Sequence, residues 1–136
     1  MDFLKTLMVS ASGLKVQSGR MRVIAENMAN ANSAPRTAAE DPYRRKIPTV
    51  RSKFDEELNA RVVQLGRIER DRSDFDQRFE PGHPAADDKG MVRYPNVSPL
   101  IETVDMREAQ RTYEANLNVV TATRSMLQRT IDILRG

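Results

Sequence analysis

The chain has 136 residues, a net charge of +3 and no cysteine; 39% of its residues are apolar and 5% are aromatic. The length is that of one domain, and the shortage of aromatic residues predicts a thin, aliphatic core. The absence of cysteine excludes disulfides and thiolate chemistry, and no stretch approaches the roughly 20 apolar residues of a membrane span. The basic residues are scattered and no aromatic platform accompanies them, which disfavours nucleic-acid binding.

The first predicted element is an amphipathic helix over residues 1–31. Apolar side chains recur along it at a seven-residue spacing with one alternate position, which is typical of a helix that buries one narrow stripe against other helices. The stripe comprises Leu4, Leu7, Leu14, Met21 and Met28. Gly13 and Gly19 each lower helix stability by up to about 1 kcal/mol relative to Ala, and they allow another backbone to approach closely.

The middle of the chain predicts loops and a small β element. All seven prolines lie within residues 35–99, so this is where the chain changes direction. Residues 43–47 predict a short extended piece, whereas residues 53–60 fit either a helix or a strand. Residues 61–94 predict a hairpin or a small antiparallel sheet, with a turn signal at residues 81–84.

The last predicted element is a long helix in residues 95–136. Ser98 is a good N-cap, and Pro99 suits the first helical position, where its missing N–H costs nothing. Glu102 near the start and Arg135 near the end suit the helix dipole. The apolar seam of this helix comprises Met106, Tyr113, Leu117, Val120, Leu127, Ile131 and Leu134.

Two polar residues, Gln110 and Arg124, fall at seam positions of this helix. One interpretation is that they are buried and fix the register and the choice of partner, at a cost in stability. The other is that they lie at the edge of the stripe, where Arg124 extends its charge to water. The sequence leaves both interpretations open.

The predicted fold is mainly α, with long N- and C-terminal helices paired as a coiled-coil-like hairpin and a small irregular or β insertion between them. The segments are residues 1–32, 33–94 and 95–136, the first and last forming one structural unit. A helical hairpin that closes on itself and an assembly role are both compatible with the periodicity. The seam is too small to offset the entropy of ordering two long helices, so the helices are expected to need partners.

The residue types that carry chemistry are absent or isolated. His83 is the only histidine and lies in a turn, without a second ligand for a metal. Asp87 and Asp88 lack the spacing of a calcium loop, and there is no phosphate-binding glycine loop. Arg44, Arg45 and Lys46 form the one basic cluster, which is interpreted as a solvated edge in preference to a binding patch. We therefore predict no catalytic, cofactor-binding or metal-binding residues, no small-molecule substrate and no enzymatic activity.

Three stretches carry a resemblance to a known family. They are Ala11–Asn32, Pro42–Lys46, and the run from Val92-Arg93-Tyr94-Pro95-Asn96-Val97 through Arg111-Thr112-Tyr113-Glu114-Ala115-Asn116. Together they resemble the flagellar basal-body rod proteins, most closely the proximal rod proteins, and the likeness extends from end to end. Glu40 and Asp41 depart from the pattern, because the family often has glycines there.

The resemblance implies a structural subunit of the bacterial flagellar rod, the helically assembled shaft that transmits torque from the motor to the hook. It implies that the seam residues of both helices form contacts within and between subunits. The implied partners are copies of this chain, other rod proteins, the junction of MS ring and export gate, and the flagellar type III export apparatus. The implied location is the basal body across the periplasm, after export without a cleaved signal peptide. The N-terminus agrees, because Lys5 and Ser10 interrupt what would be the apolar core of a signal peptide.

Two other functions are weighed against this one. A cytoplasmic coiled-coil adaptor or export chaperone would also use seamed helices, and it would stay in the cytoplasm instead of entering basal bodies. A membrane-surface helix at the N-terminus would explain the amphipathic stripe. Asp2, Glu26 and the lack of bulky aromatic residues along the stripe argue against that last function.

Overall fold

The computed structural model describes residues 2–136 and contains two long helices with short strands between them. Helix α1 spans Phe3–Ala29 and helix α2 spans Pro99–Arg135. The strands are β1 Lys46–Ile47, β2 Val50–Asp55, β3 Ala60–Leu65, β4 Glu69–Arg70, β5 Asp76–Phe79 and β6 Met91–Tyr94. This confirms the predicted pair of long terminal helices with a small β insertion.

The residues that begin each helix explain its start. The Asp2 side chain accepts a hydrogen bond from the backbone N–H of Lys5 at 3.0 Å, which satisfies one of the free donors of the first turn of α1. In α2, Pro99 occupies the first helical position, as predicted. The carbonyl of Ser98 accepts the first helical hydrogen bond, from the N–H of Glu102 at 3.0 Å.

The strands form three separate antiparallel pairs: β1 with β4, β2 with β3, and β5 with β6. The β structure therefore starts earlier than the predicted residues 61–94. Residues 53–60 resolve into the end of β2, a four-residue loop and the first residue of β3. Asn59 adopts a φ of 48° in that loop, a left-handed conformation that asparagine tolerates better than most residues.

The chain divides into two compact units. The first contains residues 2–21, 49–67 and 107–136, and the second contains residues 22–48 and 68–106. Each unit therefore includes part of α1 and part of α2. The β2–β3 hairpin belongs to the first unit, and the other two strand pairs belong to the second.

Two glycines of α1 pack closely against side chains from other elements of the first unit. A Cβ atom at Gly13 would lie 2.8 Å from Oδ1 of Asn116, and one at Gly19 would lie 2.9 Å from a methyl group of Leu65. The sequence predicted close approach at both positions, and the structure shows that the approaching groups are side chains. An alanine at either position would require the neighbour to move.

One apolar cluster of the second unit is small. Ala85, Val92 and Tyr94 form its buried centre, with Ala34 and Ala86 packed against it. Val92 and Tyr94 belong to β6, where buried side chains alternate with more exposed ones. This apolar cluster supplies little burial by itself, and polar contacts also position the segments around it.

Candidate functional site: a buried polar cluster and an exposed helix face

A polar cluster joins five segments of the second unit. Its members come from the end of α1, the segment before β1, the segment after β4, the segment between β6 and α2, and the start of α2. They are Asn27, Tyr43, Arg45, Asp71, Asn96, Glu102 and Asp105. These side chains bond to one another or to the backbone between them, so the cluster holds the segments in one arrangement.

Asn27 lies at the centre of the cluster and is 1% exposed. Its amide oxygen accepts hydrogen bonds from the Tyr43 hydroxyl at 2.7 Å and from the backbone N–H of Lys46 at 3.0 Å. Its amide nitrogen donates to the carbonyl of Lys46 at 2.8 Å and to a carboxylate oxygen of Glu102 at 3.3 Å. The side chain therefore uses both of its donors and both of its acceptor sites.

Glu102 is fully buried in the first turn of α2 and forms an ion pair with Arg45. The positive end of the helix dipole favours a carboxylate at this place. Arg45 also reaches Asp71 at 3.3 Å and Asp105 at 3.4 Å, so one guanidinium meets three carboxylates. Burial alone would lower the pKa of Arg45, but the hydrogen bonds and charges of Glu102 and Asp71 outweigh it and raise that pKa.

Asn96 and Arg44 attach the segment after β4 to the cluster. The amide nitrogen of Asn96 donates to the carbonyls of Asp71 at 3.0 Å and Ser73 at 3.2 Å, and its oxygen accepts from the backbone N–H of Arg45 at 2.8 Å. Arg44 donates to the carbonyls of Asp71 and Ser73. Its guanidinium also lies 4.1 Å from the ring centroid of Phe75, in cation–π contact.

The pKa values of Asp71 and Tyr43 also reflect the electrostatics of the cluster. Hydrogen bonds from the backbone and hydroxyl of Ser73, with the nearby charge of Arg45, hold the pKa of Asp71 below its ordinary value. Burial, together with the negative charges of Glu26 and Glu102, raises the pKa of Tyr43 to about 12. Tyr43 is thus a neutral hydrogen-bond donor at physiological pH.

The buried polar atoms of the cluster are saturated with hydrogen bonds. Its buried donors and acceptors are matched, and in residues 2–136 no buried side-chain nitrogen or oxygen lacks a hydrogen-bond partner. Nowhere in the described chain do three or more histidine, aspartate or glutamate side chains come together as a metal site. The cluster can therefore hold segments in register, and its carboxylates are occupied by that task.

Helix α2 carries a second heptad repeat that the sequence analysis did not find. Glu102, Ala109, Asn116 and Thr123 are seven residues apart and face inward; three are fully buried and Asn116 is half-buried. This inward row consists of polar and small side chains. Apolar periodicity does not indicate this row, because most of its residues are polar.

A different face of α2 is apolar and exposed. Its residues lie within about a third of the helix circumference at 100° per residue. This exposed apolar face comprises Leu100, Ile101, Val104, Val119, Met126 and Ile133. Leu100 is 74% exposed and Ile133 is 79% exposed. One side of α2 thus presents large apolar groups to solvent, although a soluble helix usually directs such groups toward the core.

The predicted seam residues are half-buried or exposed. Leu7, Leu14, Met21, Met106, Tyr113, Val120 and Leu127 are half-buried, whereas Leu4, Met28, Leu117, Ile131 and Leu134 are exposed. Gln110 and Arg124 are exposed as well. The fully buried side chains of α1 lie on another stripe, which includes Val16, Ile24 and Asn27. The role of the seam as a subunit interface stays a prediction.

Comparison with known proteins reveals the family. Residues 88–133 match the model of the flagellar basal body rod FlgEFG protein C-terminal region. The chain is 48% identical to the flagellar basal-body rod protein FlgC of Agrobacterium fabrum, over 94% of this chain and 92% of that protein. It is 36% identical to FlgC of Bacillus subtilis, over 98% of this chain and 99% of that protein.

The chain belongs to the FlgC family of flagellar basal-body rod proteins. A third relative, FlgC of Aquifex aeolicus, is 36% identical over 97% of both chains. The resemblance to the rod proteins is thereby confirmed. The stretches that carried it contain Asn27, Tyr43, Arg45 and Asn96, so they supply much of the polar cluster. Sequence analysis missed that role, although an asparagine within a helix and a Tyr-Arg-Arg run before a strand were visible signals.

No membrane-spanning helix occurs among residues 2–136, because neither α1 nor α2 has a stretch that is apolar enough.

Proposed function

We propose that this chain is a structural subunit of the bacterial flagellar basal-body rod and has no catalytic role. The observation that carries the proposal is the exposed apolar face of α2. Six large aliphatic side chains on one side of a 37-residue helix would be costly to leave in water. If neighbouring subunits cover the helix along its length, these side chains are removed from water and the cost disappears.

The inward row of α2 supports the same function. Glu102, Asn116 and Thr123 are polar and contribute little apolar burial. Glu102 joins α2 to Asn27 and Arg45 through directional hydrogen bonds, whereas Asn116 and Thr123 bond to backbone carbonyls of α2 itself. The apolar area that stabilises a helical protein is instead left on the outside, where contacts between subunits can use it.

We also propose that α1 and α2 pair as an antiparallel, coiled-coil-like hairpin. In the first unit Gly13 lies against Asn116, and in the second unit Asn27 bonds Glu102. Asn27 follows Gly13 by fourteen residues, and Asn116 follows Glu102 by fourteen residues. Equal spacing on two helices in opposite directions is what an antiparallel pair with one register requires. Under this proposal residues 1–32 and 95–136 form the rod segments and residues 33–94 form the insertion.

Under this proposal the subunit would form part of a shaft between motor and hook. Its partners would be copies of the chain, other rod proteins and the junction of MS ring and export gate. It would reach its place across the periplasm through the flagellar type III apparatus, without a cleaved signal peptide. Helices that expose apolar faces and become fully ordered only when they dock would suit passage through a narrow channel. The family relationship favours this function over a cytoplasmic adaptor or export chaperone.

The test uses three neighbouring positions of α2 in a motile host. Met126→Arg places a charge on the exposed apolar face, so we expect normal synthesis, an unchanged thermal midpoint of the purified chain, and loss of swimming and of assembled rods. Gln128→Arg is the matched control. Gln128 is exposed and bonds Asp132 at 2.9 Å, a partner that arginine retains. Swimming should persist in this variant.

Leu127→Arg tests the predicted seam in the same experiment. Leu127 is half-buried, so its charge should block assembly and motility and also lower the thermal midpoint of the isolated chain. Normal swimming with Met126→Arg would contradict the role of the exposed face. Normal swimming with Leu127→Arg would contradict the placement of the seam.

A further inference from the structure

The β2–β3 hairpin of the first unit has one covered edge and one free edge. The covered edge belongs to β3, where the backbone N–H of Val63 donates to the hydroxyl of Ser12 in α1 at 3.2 Å. An N–H that bonds α1 points away from β2. Because outward and inward backbone groups alternate in an antiparallel pair, Val63 and its partner Ser52 form a pair without mutual hydrogen bonds.

The outward groups of β2 follow from that register. Ser52 and its neighbours at two-residue spacing, Val50 and Phe54, direct their N–H and C=O groups away from β3. The hydrogen bond from Gly66 N–H to the carbonyl of Thr49, at 2.7 Å, agrees with this alternation. All residues from Val50 to Phe54 are exposed, so nothing within the described chain covers this edge.

The side chains of β2 show what could pair with it. Val50 and Phe54 lie on one face and are about half exposed, and Arg51 and Lys53 lie on the other. None of the six ion pairs within residues 2–136 includes either of these two cations. The edge is regular over six paired residues and free of proline. It thus has the features of a strand-accepting edge, with a positive charge.

We propose that the free edge of β2 accepts an extended segment of a different polypeptide, one in which apolar side chains alternate with acidic ones. Backbone groups of Val50, Ser52 and Phe54 would bond the added strand. Its apolar side chains would extend the face formed by Val50 and Phe54, and its carboxylates would meet Arg51 and Lys53.

Charge decides against a second copy of β2 as the occupant. Pairing β2 with itself would bring Arg51 and Lys53 of two chains together across the new ladder, where like charges are destabilising. Basic side chains on an edge strand prevent this kind of self-pairing. They also select for a partner of opposite charge, so the same two residues give both protection and specificity.

This inference goes beyond the proposed function and does not depend on it. The rod proposal rests on α2, whereas the strand-addition proposal rests on β2. Loss of peptide binding would leave the tests of Met126 and Leu127 unaffected, so the two proposals fail separately.

The test measures fluorescence anisotropy of labelled hexapeptides with the full-length chain. The probes are a hexapeptide of alternating Val and Glu, which matches the six residues of β2, and one of alternating Val and Lys. We expect the Val–Glu probe to bind at least about tenfold more tightly than the Val–Lys probe. Replacing Arg51 and Lys53 together with Glu should reverse that order.

A proline variant separates strand addition from charge attraction. Ser52→Pro removes one outward N–H without removing a hydrogen bond between β2 and β3, and Ser52→Ala is its control. Ser52→Pro should weaken Val–Glu binding at least about tenfold and keep the circular dichroism of the parent chain, whereas Ser52→Ala should bind as the parent does. Hydrogen exchange on the parent chain gives an independent measurement. The amides of Val50, Ser52 and Phe54 should slow when the Val–Glu probe is added.

Three results would overturn the proposal. The first is the absence of binding, with unchanged exchange of those amides. The second is equal binding by Ser52→Pro in a folded chain, which would indicate charge attraction alone. The third is self-association of the parent chain that Ser52→Pro abolishes, which would make a second copy the occupant.

Discussion

The polar cluster and the exposed apolar face of α2 use one helix in opposite ways. At the cluster, Glu102 is buried and meets Arg45 and Asn27 through directional bonds. On the exposed face, Leu100 and Ile133 are mostly in solvent and bury little apolar area in the isolated chain. Polar contacts thus fix the arrangement within the chain, and under our proposal the exposed apolar area serves contacts with neighbouring subunits.

The contrast also separates two kinds of mutational effect. Substitutions in the cluster should destabilise the isolated chain, because they leave buried charges or amides without partners. Substitutions on the exposed face should leave the isolated chain stable and act only on assembly. Measurements on the purified chain and on basal bodies should therefore give opposite orders of sensitivity.

The largest expected effect on the isolated chain comes from Arg45→Leu. This change leaves the carboxylate of Glu102 buried without its cation, which costs about 3–5 kcal/mol. Urea denaturation followed by circular dichroism would measure the change in free energy of unfolding. Arg111→Leu, at an exposed position of α2, is the control and should change it by no more than about 0.5 kcal/mol. Equal effects of the two variants would show that the cluster does not stabilise the fold.

A smaller effect is expected from acid. Asp71 has a pKa below its ordinary value in the folded chain, because Ser73 and Arg45 stabilise its carboxylate. Its contribution to stability is therefore fully present above the unfolded pKa of about 3.9, and it is lost as the pH falls through the lower folded value. Asp71→Asn should flatten the pH dependence of stability below about pH 4, by less than about 1 kcal/mol because the side chain is partly exposed.

Ser73→Ala tests how much the Ser73 hydroxyl contributes to the lowered pKa of Asp71. It removes the hydroxyl bond to Asp71 and leaves the backbone N–H bond at 2.9 Å, so its pH dependence should lie between those of the parent chain and Asp71→Asn. If acid destabilised the parent chain and Asp71→Asn to the same extent, Asp71 would not be a source of the pH dependence.

The helices were predictable because their signals are local. Pro99 after Ser98 set the start of α2, and a seven-residue apolar spacing indicated both helices. The strand pairs were harder to predict. Residues 53–60 contain Lys53, Phe54 and two glutamates, which fit either a helix or a strand. Asp55 and Asn59 favour a tight loop at residues 56–59, and pairing with β3 makes the residues before that loop a strand.

The polar cluster could not be derived from periodicity. Its members come from five segments of the chain, and only folding brings Asn27, Arg45 and Glu102 together. Glu102 illustrates the difficulty, since a glutamate in the first turn of a helix is explained by the dipole alone. The exposed apolar face was missed for another reason: Glu108 and Arg111 interrupt it, and a second apolar seam on the same helix had a more regular spacing.

The most direct test of the account asks whether the exposed apolar face of α2 becomes buried on assembly. The chain has no cysteine, so Val119→Cys introduces a single thiol on that face. Maleimide labelling should be fast in the purified chain and strongly suppressed in intact basal bodies from a swimming strain that carries the variant. Equally fast labelling in both would show that the face stays in solvent, and it would contradict the account.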